Sequence, residues 1–205
     1  MTALANIRGI IFDMDGTLVD SRLDFTAMRT EMGLLPGIPI LEQLAELPQP
    51  QQNACHEILH RHERAGAYRS VLIPGAERLL QALARARRPM AIVTRNSTES
   101  TRLTLERLGL ANFFSCVICR EDGPHKPDPW AIQEICRRWE LSVDEVVMVG
   151  DFDLDIVSAN RAGCRSVLYT GGVPSHEVDG SALATHVAST LDELFELLAP
   201  VEDSI

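Results

Sequence analysis

Lysine is almost missing from this chain: 19 basic side chains stand in 205 residues, and only Lys126 is not an arginine. Average chains are rich in lysine, so the skew points to arginine-favouring coding. Cysteine is sparse as well. Five thiols, an odd number, exclude a complete disulfide framework, and Cys55, Cys136 and Cys164 are isolated in sequence. Cys116-Val117-Ile118-Cys119 has the CxxC spacing of a redox pair or half a zinc site, but the segment reads as a strand. Three strand intervals hold the two Cα atoms about 10 Å apart, beyond the roughly 7 Å limit of a disulfide. No second CxxC completes a zinc site. No apolar run approaches the roughly 20 residues of a spanning helix. Met1-Thr2-Ala3-Leu4-Ala5-Asn6 lacks the charged start and long apolar stretch of a signal peptide. Positive charge is short too, and a net charge of −10 disfavours DNA or an anionic membrane as partner. The expectation is a cytoplasmic protein, monomer or homodimer, with neither nucleic acid nor membrane as partner.

With 45% hydrophobic and 23% charged residues the chain can bury a core. The most informative segment is Ile10-Ile11-Phe12-Asp13-Met14-Asp15-Gly16-Thr17-Leu18-Val19-Asp20. Its apolar run suits a fully buried strand of a parallel sheet. Residues i and i+2 leave a strand on the same face, so Asp13 and Asp15 converge just past its end. That edge of an open α/β sheet is where ligands sit. Two like charges so close are tolerated if a cation joins them or one is protonated. An Asp-Gly pair also builds a simple turn.

Two further strand ends extend the pattern. Met90-Ala91-Ile92-Val93 runs into Thr94-Arg95-Asn96, offering a hydroxyl and backbone N–H groups to an anion. Val146-Val147-Met148-Val149 runs into Gly150-Asp151-Phe152-Asp153-Leu154-Asp155, where three carboxylates in five residues suit a hard cation. Asp153 and Asp155 also suit the positive end of a following helix. Lys126, the lone survivor of the coding bias, lies in His125-Lys126-Pro127-Asp128-Pro129, whose prolines stiffen the backbone before a helix.

These four blocks, in this order and each on its own strand end or helix start, resemble the signature of the haloacid dehalogenase-like hydrolase superfamily, in its phosphatase branch. The resemblance implies Asp13 as nucleophile, Asp15 as general acid/base, Thr94 with Arg95 and Asn96 as phosphate-binding residues, and Lys126 as the charge-balancing lysine. It further implies a Mg²⁺ site at Asp13, Asp15, Asp151 and Asp155, and a small phosphorylated metabolite hydrolysed through an aspartyl-phosphate. Phe152 stands where the family often carries a small hydroxyl residue. The second aspartate of Asp13-x-Asp15 argues against the dehalogenase branch. A sugar-phosphate mutase of the same family is the alternative.

Strands are predicted at 8–12, 90–94, 115–119, 146–150, 166–169 and 185–188, and helices at 75–86, 98–109, 128–139, 154–162 and 190–198. The alternation gives an α/β fold, a Rossmann-like parallel sheet with helices on both faces. Residues 20–72 show no strand signal, only helices near 22–33, 40–47 and 51–66 broken at Pro36, Pro39, Pro48 and Pro50. This resembles the family's helical cap, giving a hydrolase core at 1–19 and 73–205 and a short cap at 20–72. Cap arginines Arg22, Arg29, Arg61 and Arg64 suit an anionic substrate or simply a solvated face. One rival motif remains. His56-Glu57-Ile58-Leu59-His60 fits HExxH, the zinc-binding helix of metalloproteases, with Glu63 or Glu77 as a third ligand.

Overall fold

In the structure, a computed structural model, residue 4 and residues 6–198 are described. The segment read for a leader, residues 1–6, lies largely outside them. The first apolar run forms β1 (Gly9–Phe12), buried throughout. After it come β2 (Val19–Asp20), three helices, α1 (Phe25–Met32), α2 (Ile40–Ala45) and α3 (Gln49–Arg69), and β3 (Val71–Leu72). The chain then alternates through α4 (Ala76–Arg85), β4 (Met90–Val93), α5 (Thr98–Arg107), β5 (Cys116–Ile118), α6 (Trp130–Trp139) and β6 (Val146–Gly150). It finishes with α7 (Asp153–Ala162), β7 (Arg165–Tyr169), β8 (His186–Ala188) and α8 (Leu191–Leu198). Outside residues 20–72, each predicted strand and helix is present to within two residues at either end.

Six strands make one parallel sheet in the order β5-β4-β1-β6-β7-β8. The order reverses at β1, which leaves a crevice at the carboxyl ends of β1, β4 and β6. Side chains alternate between two layers, as a period of two requires. Ile10, Phe12, Ile92, Val147 and Val149 pack on one side with Leu80 and Leu83 of α4 and Leu194 of α8. Ile11, Ala91, Val93 and Met148 pack on the other with Ile132 and Ile135 of α6. Truncating one such residue, Ile92→Ala for instance, costs about 2–5 kcal/mol. Gly9 is obligatory in this packing, because a Cβ there would lie 2.6 Å from the Trp139 ring. All five thiols are unbridged and buried.

The helical insertion has its own core of Met28, Ile40, Leu44, Cys55 and Leu59. Asp24 caps α1, Gly33 ends it in the left-handed region, and prolines precede α2 and α3. Two expectations need correction. The helix expected over 51–66 runs from Gln49 to Arg69, and the insertion does contain strand: β2 and β3 pair antiparallel at its base. A ribbon of two residues per strand is too short to carry a periodic signal. Gly66 sits inside α3 because Leu23 and the Ser21 carbonyl press on it, a Cβ there lying 2.8 Å from Leu23. The second half of α3 is tied to α5, with the Ser100 hydroxyl on the Glu63 carbonyl at 3.2 Å and Arg107 on the Tyr68 carbonyl at 2.7 Å.

Candidate active site

The carboxyl ends of β1, β4 and β6 deliver their polar side chains to one cavity of about 820 Å³. Asp13, Asp15, Thr94, Arg95, Asn96, Lys126, Asp151 and Asp155 all line it. Asp13 continues the β1 ladder by donating its N–H to the Val149 carbonyl at 2.8 Å. The turn that follows passes so close to Asp151 that a Cβ on Gly16, at φ +83°, would run into its carboxylate. The Thr17 hydroxyl donates to Asp151 Oδ1 at 3.2 Å. Gly150 clears room for the Asp155 carboxylate in the same way.

Lys126 arrives from the loop before α6. Its Nζ donates to Asp13 Oδ1 and, at 2.6 Å, to Asp155 Oδ1. All three side chains are buried. The loop is fixed from beneath by Ser158 on the Asp128 carbonyl at 3.0 Å and Arg161 on the Pro127 carbonyl at 3.1 Å. Burial works against the lysine's charge, but Asp13 and Asp155 more than offset it and hold its pKa above the ordinary value. Burial lifts the Asp13 carboxyl well above its usual range, opposed by Lys126 and reinforced by the charges of Asp155 and Asp151. Asp151 is pushed up to about 7 by burial and by Asp155.

Asp15 is held differently. Asn96 Nδ2 donates to its Oδ2, while Oδ1 is buried without a hydrogen-bond partner. Burial raises its pKa despite hydrogen bonds from Ser21 and Asn96. The result is a carboxyl inclined to hold a proton, with one oxygen uncommitted. Thr94 is buried, and its Oγ1 accepts the Asn96 backbone N–H at 3.2 Å. Arg95 reaches over to the insertion and pairs with Glu42 at 2.6 Å.

A hard cation fits this donor set. Oxygen atoms of Asp13, Asp151 and Asp155 lie within 4.8 Å of one another, the one such cluster of three metal-ligating side chains among the described residues. Burial first, and then the neighbouring carboxylates, raise Asp13 and Asp151, a cost that a divalent ion would lessen. The HExxH reading is thereby corrected. No third ligand joins His56 and His60 among the described residues, Glu77 accepts from Gln81, and Glu63 pairs with Arg120 at 2.6 Å.

Sequence reasoning missed that Glu63–Arg120 pair, which is buried beside Asp15, along with Ser21, Thr17 and Glu42. Thr17 was within reach, since it sits in the Asp13 motif. Glu63 and Arg120 are 57 positions apart and share no local pattern. Of the cap arginines, Arg22 and Arg29 line the cavity, while Arg61 pairs with Glu31 and Arg64 with Glu99.

Comparison with known proteins is consistent along the chain. Residues 10–169 match the family described as haloacid dehalogenase-like hydrolase. A haloacid dehalogenase-like hydrolase domain-containing protein of Arabidopsis thaliana is 31% identical over 178 residues, covering 81% of this chain and 72% of its own. The phosphoglycolate phosphatase of Vibrio cholerae is 29% identical over 222 residues, covering 95% and 98%. A haloacid dehalogenase-like family hydrolase from Streptococcus pneumoniae superposes with a TM-score of 0.74 over 93% of this chain and 98% of that one, at 24% identity, which speaks to the fold alone. The chain belongs to the haloacid dehalogenase-like hydrolase family.

Proposed function

We propose that the protein is a magnesium-dependent phosphoric monoester hydrolase that acts on a small phosphorylated metabolite through an aspartyl-phosphate on Asp13. The observation that carries this reading is the pairing of two differently held carboxyls in one cavity. Asp13 is clamped by Lys126 next to Asp151 and Asp155, and Asp15 keeps a raised pKa and a partnerless oxygen. The phosphatases among the relatives, such as that of Vibrio cholerae, support the same reaction class.

In this reading Asp13 attacks phosphorus as the ester P–O bond breaks, and protonated Asp15 gives its proton to the leaving oxygen. Asp15, now a carboxylate, takes a proton from water as the water oxygen attacks phosphorus, and Asp13 is released with inorganic phosphate. Lys126, the Thr94 hydroxyl and the turn at Arg95 and Asn96 meet charge on the phosphoryl oxygens. Asn96 also orients Asp15. Magnesium held by Asp13, the Asp15 carbonyl and Asp151, with Asp155 beside them, would neutralise the carboxylates and the phosphoryl oxygens. Residues 20–72 serve as the cap over the core formed by 1–19 and 73–205, and their ion pairs Glu42–Arg95 and Glu63–Arg120 fasten it to that core.

The test is hydrolysis of para-nitrophenyl phosphate by the purified chain. Activity is expected with Mg²⁺, lost in EDTA and restored by Mg²⁺ but poorly by Ca²⁺. Asp13→Asn, which keeps shape but removes the nucleophile, should abolish turnover while the fold persists. Full activity in chelator, or in an undeamidated Asp13→Asn protein, overturns the mechanism. Isomerisation of a sugar phosphate in place of phosphate release would select the mutase.

A further inference from the structure

The cavity above the carboxylates is far larger than a two-carbon phosphate ester. Its volume of about 820 Å³ falls in the range of pockets that enclose drug-sized molecules, roughly 300–1,000 Å³. The inner end is polar, whereas the outer walls are largely apolar with a few charged side chains among them. Met28, Ile40, Leu41 and Leu59 line it from the insertion and Leu154 from the core. Phe25 of the insertion and Phe152 of the core both line it, with 51% and 52% of their surface exposed. An exposed aromatic side chain on a concave wall is a binding feature rather than a stray surface residue. The backbone N–H of Phe152 donates to Asp155 Oδ2 at 3.1 Å, which fixes the loop that carries the ring.

Most cations of the cavity are already paired with a carboxylate. Lys126 bridges Asp13 and Asp155, Arg120 pairs with Glu63 at 2.6 Å, Arg95 with Glu42 at 2.6 Å, and Arg22 lies 3.8 Å from Asp20. Arg29 is the exception: it donates to the Phe25 and Ile38 carbonyls, each at 3.3 Å, while its Nε is buried without a partner. Asp20 and Asp179 add negative charge to the lining. Among the described residues, a carboxylate on the leaving group would meet a carboxylate-free cation only at Arg29, whereas an apolar group meets a matching wall along most of the lining.

We propose that the substrate class of this site is a phosphomonoester whose leaving group carries an apolar alkyl or aryl body, seated between Phe25 and Phe152. This rests on the phosphatase reading of the same cavity and specifies what lies beyond the phosphate. Phe25 and Phe152 are the specificity-determining residues.

The experiment compares kcat/KM for phenethyl phosphate and phosphoglycolate, with Mg²⁺, in the wild-type chain and in Phe25→Ala, Phe152→Ala and Phe152→Leu. Phenethyl phosphate is expected to be preferred by at least about tenfold, the scale of a lost apolar contact in a pocket. Each alanine variant should lower that preference about tenfold, chiefly through the KM of the phenethyl ester, and Phe152→Leu should recover most of it. A wild-type preference for phosphoglycolate, or a preference unchanged in both alanine variants, overturns the apolar leaving group and leaves the phosphatase reading standing. Failure to hydrolyse any ester, para-nitrophenyl phosphate included, overturns the phosphatase reading itself and this inference with it.

Discussion

The strand ends of the sheet and the helical insertion above them face the same cavity with opposite chemistry. From below come Asp13, Asp15, Asp151, Asp155 and Lys126, charged groups fixed by backbone geometry at the ends of β1 and β6 and in the loop before α6. From above come mainly Leu23, Phe25, Met28, Ile40 and Leu41, side chains that many apolar residues could replace, with Arg22, Arg29 and Glu63 among them. The lower wall tolerates few alternatives because each carboxylate needs a neighbour at hydrogen-bonding distance, as Asp155 has in Lys126 at 2.6 Å. The upper wall needs only shape and apolarity. In the proposed reading chemistry belongs to the sheet edge, selection is shared by Phe25 of the insertion and Phe152 of the core, and insertion and core meet at the ion pairs Glu42–Arg95 and Glu63–Arg120.

Breaking the junction should have the largest effect on stability. Glu63 and Arg120 are only 3% and 9% exposed, and Glu63→Gln leaves the guanidinium with only the longer, more exposed contact to Glu121 at 3.6 Å as counter-charge. A loss of about 3 kcal/mol is expected, read by denaturant unfolding. A change no greater than that of an exposed pair such as Arg61–Glu31 would mean that the junction does not fasten the insertion.

The lower wall is probed next by Lys126→Arg. Charge is kept, but a planar guanidinium cannot replace an ammonium donating to both Asp13 and Asp155. The rate should drop at least about tenfold, or about 1.4 kcal/mol of transition-state stabilisation. An unchanged rate in a folded variant would make the lone lysine a bystander.

The smallest effect is a pH slope. Asp151 holds its proton up to about 7 in the folded chain, against an ordinary value of 3.8, so the folded state binds protons that the unfolded state has released. Its contribution is complete below the ordinary value and is lost as pH rises through about 7. In EDTA, the melting temperature should fall between about pH 5 and about pH 7 more steeply for the wild type than for Asp151→Asn. Saturating Mg²⁺ should flatten the wild-type slope. Equal slopes in the two proteins in EDTA would show that the carboxyl cluster is not under strain.

The same contrast explains what could be read from the sequence. Apolar runs such as Val146–Val149 announce buried strands, and the Asp13, Thr94 and Asp151 that follow three of them announce a ligand-bearing edge, because backbone direction alone decides where those side chains go. Lys126 stood out through the scarcity of its kind. The insertion was harder to read. Gly66 lowers helical propensity and hid the last turn of α3, although tertiary contact with Leu23 is what demands it. Glu63 looked like a metal ligand three residues from His60, and only the fold brings Arg120 to it. Phe152 was visibly unusual, but its sharing of one cavity with Phe25 is a tertiary fact.

The central claim is that Asp13 carries the phosphoryl group. It is tested most directly by quenching a single turnover of phosphomonoester with excess enzyme and Mg²⁺, reducing the quenched protein with borohydride, and sequencing its peptides by mass spectrometry. An acyl phosphate is reduced at its carbonyl carbon, so the account predicts a transient reduced side chain at position 13 and none at Asp15, Asp151 or Asp155. Phosphate release with position 13 unmodified at every quench time, or the group trapped on another residue, would contradict it.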